Sequence, residues 1–120
     1  MNVRLRWLLT ILLAAFALHV AAADKGYVGF SLSADGEGFF LNPTLKTLTI
    51  TKVTPNSPAA SAGIVAGDQI VEIEGHPVAG AKARDLKPYM EREVGQALQL
   101  VIKKVSGETK PLSLVAAAKP

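Results

Sequence analysis

The segment "SPAASAGIVAGDQIVEIEG", residues 57–75, constrains the fold of this chain more than any other stretch of its sequence. Ser57 is a good N-cap, and Pro58 suits the first helical position because its missing N–H would be unpaired there in any case. Gly63 can adopt the left-handed conformation that ends a helix. The segment therefore predicts a short helix over residues 57–62, followed by a strand.

The rest of the chain reads as short strands joined by turns. Gly67 and Asp68 predict a turn that Asp68 caps, and Gly75 predicts a tight connection. "ADGEG", residues 34–38, predicts a turn or loop, and residues 39–41 fit an extension of a hairpin. Alternating or β-branched runs predict strands at 29–33, 48–53, 69–74, 98–105 and 111–115.

A second helix is predicted within "ARDLKPYMEREVG", residues 83–95, where Pro88 limits its start. A proline deep inside a helix costs about 3 kcal/mol but is tolerated in the first turn. With Asp85 as N-cap, the helix is expected to run to Glu93 and to end before Gly95. Its expected apolar face consists of Leu86, Tyr89, Met90 and Val94, and its expected outward residues are Lys87, Glu91 and Arg92.

The N-terminal segment has the pattern of a secretory signal peptide over residues 1–23. Arg4 and Arg6 precede an apolar run over 7–18, and small residues at 21–23 suit a cleavage site after Ala23. The run is short for the roughly 20 residues that a spanning helix needs, although an uncleaved anchor stays open as an alternative. Cleavage would leave one domain over 24–116 and a frayed tail over 117–120, placed in the periplasm or secreted.

Charge and cysteine content exclude several classes of protein. The formal net charge of +3 falls to +1 without the leader, which carries two arginines and no acidic residue. No basic stripe remains, so nucleic acid binding is not expected. The absence of cysteine excludes disulfides and thiolate metal sites.

Catalysis and cofactor binding lack the residues that they need. His76 is the only histidine after the leader and lies in a turn, where a solvated loop residue is expected rather than a base or a ligand. "ADGEG" lacks the lysine and the following helix of a phosphate-binding loop. The sequence therefore predicts no enzyme, no catalytic residue, no metal and no cofactor.

Three pieces of the chain together resemble a bacterial PDZ domain: "GYVGF" at 26–30, "VTPNSPAASAGIVAGDQIVEIEGHPV" at 53–78 and "VGQALQLVI" at 94–102. The resemblance is to the circularly permuted type found in periplasmic high-temperature-requirement serine proteases and carboxyl-terminal processing proteases. It implies an α+β fold, a PDZ-like partly open β-barrel or sandwich of five to six strands capped by two short helices. In the permuted order, residues 111–115 take the place of the strand that opens other PDZ domains.

The resemblance also implies peptide binding by strand addition, with backbone hydrogen bonds giving affinity and pockets giving specificity. It assigns the peptide carboxylate loop to Tyr27, Val28, Gly29 and Phe30. It assigns the peptide-pairing strand to Ser31, Leu32 and Ser33, and the apolar pocket to Val28, Phe30, Leu32, Leu86 and Met90. Plainer alternatives stay open, since Gly29 fits a simple turn and the two helix residues fit a plain core.

The expected partner is a peptide or protein C-terminus, or an internal extended segment. The helix lacks the histidine that selects Ser or Thr in many eukaryotic PDZ ligands, so an apolar terminal residue is expected. No membrane contact is expected after leader cleavage, and the oligomeric state is left open. Two alternatives remain: a structural or assembly component that pairs through its sheet edge with a fixed partner or a second copy, and a membrane-tethered adaptor that keeps its leader.

Overall fold

A computed structural model of the chain describes residues 25–120. The predicted signal peptide, residues 1–23, lies outside the described residues. Within residues 25–120, neither helix has the length and apolar character needed to cross a membrane.

The described residues form one antiparallel sheet of six strands with two short helices. The sheet has the order β1-β2-β3-β5-β6. The short strand β4 lies outside this order and pairs with Glu72 and Ile73 of β3. This arrangement confirms the predicted α+β fold and leaves β1 at one edge of the sheet. In chain order the elements are β1 Phe30–Glu37, β2 Thr44–Val53, α1 Pro58–Ser61, β3 Gln69–Ile73, β4 His76–Pro77, α2 Ala83–Met90, β5 Ala97–Lys103 and β6 Thr109–Val115.

The core lies on one face of this sheet and follows the period of two that strands impose. Leu98, Leu100 and Ile102 alternate with exposed or half-buried neighbours along β5. In β3 the buried Ile70 and Ile73 lie three residues apart, because its pairing with β5 is irregular between Ile70 and Glu72. The two helices close the core with Ala59 and Leu86. Full burial of each large aliphatic side chain contributes about 1.5–3 kcal/mol, so this layer holds the sheet in place.

Asp68 caps its turn, as predicted. Its carboxylate is completely buried and accepts a hydrogen bond from the Val65 N–H at 3.0 Å. The Lys104 ammonium lies 2.5 Å from the same oxygen and also donates to the Gly63 carbonyl. The buried charge is therefore paired, and the pair joins the α1–β3 connection to the end of β5.

The predicted start of the second helix is wrong. α2 begins at Ala83, and Lys82 rather than Asp85 is the N-cap, without a side-chain hydrogen bond. Two of its first N–H groups instead donate to the β1–β2 loop: Ala83 to the Pro43 carbonyl at 3.0 Å and Arg84 to Asn42 Oδ1 at 2.9 Å. Because a distant loop caps the helix, local sequence signals could not locate its start.

The early start of α2 places Pro88 in the helix interior, near its C-terminal end. Glu91 is already extended, with ψ 121°, so only two residues of helix follow the proline. The missing proline N–H therefore removes one hydrogen bond from a helix that is about to end. Val94 lies beyond the helix and is 40% exposed, so its predicted place on the apolar face is wrong.

The predicted loop at "ADGEG" is also wrong for four of its five residues. Ala34 to Glu37 belong to β1 and pair with β2, and only Gly38 lies in the turn. A Cβ at Gly36 would lie 2.5 Å from the Thr44 carbonyl oxygen, so glycine permits the two strands to approach closely here. Residues 39–41, which fitted a hairpin extension, form the turn itself.

One residue of the predicted tail, residues 117–120, is paired in the structure. Ala116 is buried, and Ala117 pairs with Tyr27 in an isolated antiparallel bridge. The chain end therefore continues from β6 to the segment that precedes β1, and only residues 118–120 lie beyond the last pairing. This contact brings the two ends of the described chain to the same place.

Candidate functional site

The predicted loop, Tyr27 to Phe30, is fixed by backbone hydrogen bonds on its incoming side. The Gly26 N–H donates to the Arg92 carbonyl at 2.7 Å, just after α2. Tyr27 and Ala117 exchange two hydrogen bonds of 2.9 Å. The Tyr27 N–H is thus already used, so among the four predicted loop residues it is not available to a ligand.

The carbonyl groups of the loop are bound on its outgoing side. Val28 accepts a hydrogen bond from the Ala59 N–H at 2.9 Å, and Gly29 accepts one from the Thr54 N–H at 2.8 Å. The N–H groups of Val28 and Gly29, in contrast, have no acceptor within residues 25–120. The loop therefore holds its carbonyls inward and keeps two successive donors unoccupied.

The Phe30 N–H extends this set of donors. Phe30 pairs with Val53, next to the hydrogen bond between Thr54 and Gly29. Since hydrogen-bonded and non-hydrogen-bonded pairs alternate in an antiparallel ladder, the backbone groups of Phe30 point away from β2. Three consecutive N–H groups, of Val28, Gly29 and Phe30, therefore form the kind of concavity that binds an anion.

Gly29 is required at its position for two reasons. Its φ of 91° lies in the region that favours glycine. A Cβ there would lie 2.2 Å from Ser57 Cβ and 2.5 Å from Ser57 Oγ. The loop thus lies directly against the N-cap of α1.

Sequence reasoning identified Ser57 as an N-cap but missed its contact with the loop. The structure confirms the cap, since Ser57 Oγ accepts from the Ala60 N–H at 3.2 Å. The same hydroxyl donates to the Thr54 carbonyl at 2.7 Å, and the residue is 2% exposed. The only signal in the sequence was the glycine itself, whose neighbour in space lies 28 positions further along the chain.

The predicted pocket residues differ in how they lie on the core. Val28, Phe30, Leu32 and Met90 are half-buried and pack against the buried cluster. Leu86 is a member of that cluster and is 4% exposed. The four half-buried side chains therefore lie on the surface of the core, whereas Leu86 is part of the core itself.

The sides of α2 can be assigned from its surroundings. A cleft of about 620 Å³ separates the helix from β4, and its lining includes Arg84, Asp85 and Tyr89. The Tyr89 ring stacks on His76 there, with centroids 4.1 Å apart. No lining residue of this cleft belongs to the loop or to β1.

The helix side away from that cleft carries Ala83, Lys87 and Met90, which share one face at i, i+4 and i+7 spacing. Sequence reasoning placed Lys87 among the outward residues. The predicted N-cap, Asp85, lies three residues after the observed one, Lys82, and this shift hid the spacing that joins the three positions.

β1 offers a free and regular edge beyond the loop. Its register with β2 has two irregularities, and in each the additional residue, Thr51 or Lys46, is on β2. Ser31 and Ser33 are exposed, and Leu32 is half-buried between them. By the same alternation that turns Phe30 outward, the backbone groups of Leu32 face the free edge.

Within residues 25–120 no three His, Cys, Asp or Glu side chains are grouped as metal ligands. The residues that the structure brings together near the loop are instead backbone donors and apolar side chains. Such a site can bind a carboxylate and an extended chain by hydrogen bonding and apolar contact.

Comparison with known families matches residues 18–103 to the PDZ domain family, so the chain belongs to this family. No curated protein sequence matches the chain. Among solved structures, the photosystem II D1 C-terminal processing protease has 25% identity and a TM-score of 0.62, and the match covers 83% of this chain and 24% of that one. The chain thus spans about a quarter of the length of that protease.

Two similar structures are separate PDZ domains. The PDZ domain of a carboxy-terminal protease from Vibrio cholerae, in complex with peptide, has 18% identity and a TM-score of 0.59, covering 79% of this chain and 95% of that one. The HtrA3 PDZ domain bound to a phage-derived ligand has 22% identity and a TM-score of 0.55, covering 77% and 85%. At these identities the two structures establish the fold.

Proposed function

We propose that this chain is an exported, non-catalytic PDZ module that binds the C-terminal segment of a peptide or protein by strand addition to β1. PDZ domains are in general modules that bind peptide C-termini, and the chain belongs to that family. The observation that carries the proposal is the row of three N–H groups, Val28 to Phe30, at the start of a free sheet edge.

The ligand's carboxylate binds in the loop. Charge-assisted hydrogen bonds between backbone N–H groups and an oxyanion are roughly twice as strong as neutral ones. The loop carbonyls of Val28 and Gly29 are bound elsewhere, so they do not repel the incoming charge. A free C-terminus, rather than an internal segment, is therefore the preferred guest, with an internal extended segment as the weaker one.

The ligand's backbone then continues along β1. The outward backbone groups of Phe30 and Leu32 pair with it, and the intervening Ser31 and Ser33 complete the pairing strand. The terminal side chain of the ligand lies among Val28, Phe30, Leu32 and Met90, and Leu86 belongs to the core on which they pack. These surfaces are apolar, so the ligand ends in an apolar residue.

Two of the similar structures support this mode of binding. The Vibrio cholerae PDZ domain is in complex with a peptide, and the HtrA3 PDZ domain is bound to the ligand FGRWV, which ends in an apolar residue. Several other similar structures are HtrA-type proteases with bound peptides. The chemistry of an apolar C-terminus is thus compatible with this fold.

Export rests on the signal-peptide pattern of residues 1–23. Cleavage after Ala23 would release the domain into the periplasm or medium, without a membrane anchor. The measurement is the intact mass of the exported product. A mass that includes residues 1–23 would favour the membrane-tethered adaptor instead.

The decisive experiment screens the purified protein against a library of peptides with free C-termini. Hits are then repeated as C-terminal amides, which have the same side chains and lack the carboxylate. We expect amidation to weaken binding at least tenfold, since the loss of charge-assisted hydrogen bonds is worth about 1.5 kcal/mol or more. Equal binding of acid and amide would contradict the carboxylate loop.

Matched variants locate the pocket. Met90→Ser places a hydroxyl among the proposed pocket residues, and Val105→Ser makes the same kind of change at a 77% exposed residue of the β5–β6 turn. We expect weaker binding only for the Met90 variant. Equal losses, or none, would place the terminal side chain elsewhere.

A second candidate function follows from the same free edge of β1. The chain could pair through this edge with one fixed partner in an envelope or secretion complex, or with a second copy of itself. Failure of every free C-terminal peptide to bind would favour this candidate. Sedimentation of the purified protein would then distinguish a homodimer from a monomer that pairs only with a different protein.

A further inference from the structure

The turn between β1 and β2 exposes three large apolar side chains in succession: Phe39, Phe40 and Leu41, here called the hairpin tip. Their exposed fractions are 61%, 81% and 56%. The two phenylalanine rings contact each other with centroids 5.4 Å apart, and none of the three residues belongs to the core cluster. Apolar groups that cluster on a surface in this way mark an interaction site.

The hairpin tip is held in place by α2. Asn42 Oδ1 and the Pro43 carbonyl accept hydrogen bonds from the first residues of the helix, and Lys82 pairs with Thr44 in an isolated bridge. The turn itself is closed by the Asn42 N–H, which donates to the Phe39 carbonyl at 3.0 Å. The tip is thus anchored to the helix that carries Met90 of the proposed pocket.

The tip lies at the far end of the edge that the proposed ligand follows. A carboxylate in the loop fixes the ligand's direction, so its upstream residues run along β1 toward Glu37. At about 3.3 Å per residue, the nine steps from Phe30 to Phe39 span roughly 30 Å. An extended ligand therefore reaches the tip about eight to ten residues upstream of its C-terminus, as the rise per residue dictates.

β1 offers little apolar surface between these two ends. After Leu32 the strand continues with Ser33, Ala34, Asp35, Gly36 and Glu37, all of them exposed. A ligand on this edge would meet apolar groups at the pocket and again only at the tip. The spacing of apolar groups along the edge is thus itself a specificity pattern.

We propose that the hairpin tip is a second apolar contact for long ligands of the β1 edge. The preferred partner then has an apolar C-terminal residue, a polar extended stretch, and one or two apolar residues about eight to ten positions upstream, by the strand rise. This inference rests on the proposed function, because the carboxylate loop sets both the direction and the origin of the count.

A peptide fits the tip better than an anionic membrane surface does. Glu37 and Asp35 lie at its base, and Glu37 forms an ion pair of 2.5 Å with Lys46. These acidic groups offset the positive charge of Lys46, which would otherwise attract anionic lipid headgroups. The free backbone edge of β1, in contrast, leads a bound strand directly to the tip.

The test uses three synthetic peptides that share the best hexapeptide from the C-terminal screen. One is the hexapeptide itself, and two are extended to 14 residues, with Leu-Phe or Ser-Ser at positions nine and eight from the end. Binding is measured by calorimetry to the wild-type protein and to the double variant Phe39→Ser, Phe40→Ser. A further double variant, Val105→Ser with Val115→Ser, removes exposed apolar groups elsewhere as the control.

We expect the Leu-Phe peptide to bind wild type about tenfold more tightly than the Ser-Ser peptide, as partial burial of two large side chains less their ordering allows. The difference should vanish in the Phe39/Phe40 variant and persist in the control variant. The hexapeptide should bind all three proteins equally. Equal binding of the hexapeptide would show that the substitutions at the tip leave the carboxylate loop intact.

Three results would overturn the proposal in different ways. If the hexapeptide binds but both long peptides bind alike, the tip contacts no ligand, and the proposed function stands. If no hexapeptide with a free C-terminus binds in the screen, the proposed function fails and the count along β1 fails with it. Cosedimentation with phosphatidylglycerol vesicles that depends on Phe39 and Phe40, without an effect on peptides, would assign the tip to a membrane instead.

Discussion

The two ends of β1 each have a glycine of nearly the same backbone conformation, yet they do opposite things. Gly29 has φ 91° and Gly38 has φ 94°. A Cβ at Gly29 would collide with Ser57, whereas a Cβ at Gly38 would meet nothing within 4 Å. The first glycine thus serves a close approach, and the second serves only the turn.

The difference extends to what each end presents to solvent. At the loop, the side chains of Val28 and Phe30 pack on the core while backbone N–H groups stay unoccupied within the described chain. At the hairpin tip, a backbone hydrogen bond from Asn42 to Phe39 closes the turn, and the apolar side chains are exposed. One strand therefore carries a backbone site at its start and a side-chain site at its end.

The comparison is most sharply tested by the matched pair Gly29→Ala and Gly38→Ala. Both variants force alanine into the left-handed region, which costs about 1–2 kcal/mol. Only the first adds a clash that must displace Ser57, for which overpacking costs about 1–3 kcal/mol more. We expect urea unfolding to show a total loss of about 3 kcal/mol for Gly29→Ala and about half of that for Gly38→Ala.

The contribution of space can be isolated by repeating Gly29→Ala in a Ser57→Gly background, where the opposing Cβ is absent. Its cost should then approach that of Gly38→Ala. Equal losses of stability for the two glycine variants in the wild-type background would mean that a Cβ at Gly29 fits beside Ser57. The contrast between the two ends of β1 would then disappear.

The next largest effect on stability is expected from the pairing of Tyr27 with Ala117, which holds the start of the loop. A chain that ends after Ala116 loses both hydrogen bonds between Tyr27 and Ala117. At about 0.5–1.5 kcal/mol for each bond, unfolding should show a loss of about 2 kcal/mol. Peptide binding should weaken as well, because the loop backbone is held on one side only.

The matched control for this truncation ends the chain after Ala117 and removes residues 118–120 alone. It should leave the midpoint of urea unfolding and the peptide affinity unchanged. Equal behaviour of the two truncated chains would mean that the pairing of Tyr27 with Ala117 does not hold the loop.

A smaller effect on stability is expected at Ser57, which lies against the loop. Ser57→Ala removes the hydroxyl group that caps α1 and donates to the Thr54 carbonyl. Loss of an N-cap of this kind costs about 1 kcal/mol. Ser61→Ala, at an exposed position of the same helix, is the control and should be close to neutral; thermal unfolding measures both.

The fold was predictable because local signals agreed with it. Ser57, Pro58 and Gly63 gave the first helix, and the period of two gave most strands. The errors lie where distant residues decide. Ala34 to Glu37 resemble a turn in sequence but form a strand because they pair with β2. The β1–β2 loop hydrogen-bonds the first residues of α2, so its N-cap is Lys82, three residues before the best local cap.

The candidate site was predictable only through its resemblance to a family. Periodicity alone could not distinguish Gly29 from a turn glycine, because its neighbour Ser57 is close in space and distant in sequence. Tyr27 was included in the loop, yet its N–H pairs with Ala117 near the chain end. The exposure of Phe39 and Phe40 was hidden for a similar reason, since apolar residues in a sequence are expected to be buried.

The smallest stability effect is expected at the other end of β1. Phe39→Ser with Phe40→Ser should change the free energy of unfolding by no more than about 0.5 kcal/mol, because substitutions of exposed residues away from caps and cores are close to neutral. These side chains are outside the core cluster, and the hydrogen bonds that close the turn come from backbone groups and Asn42. Urea unfolding of the double variant beside wild type measures the difference. A loss above about 1 kcal/mol, well beyond what exposed sites show, would mean that the tip stabilises the hairpin. The apolar surface would then need no partner to account for it, whereas a neutral result leaves ligand contact as its role.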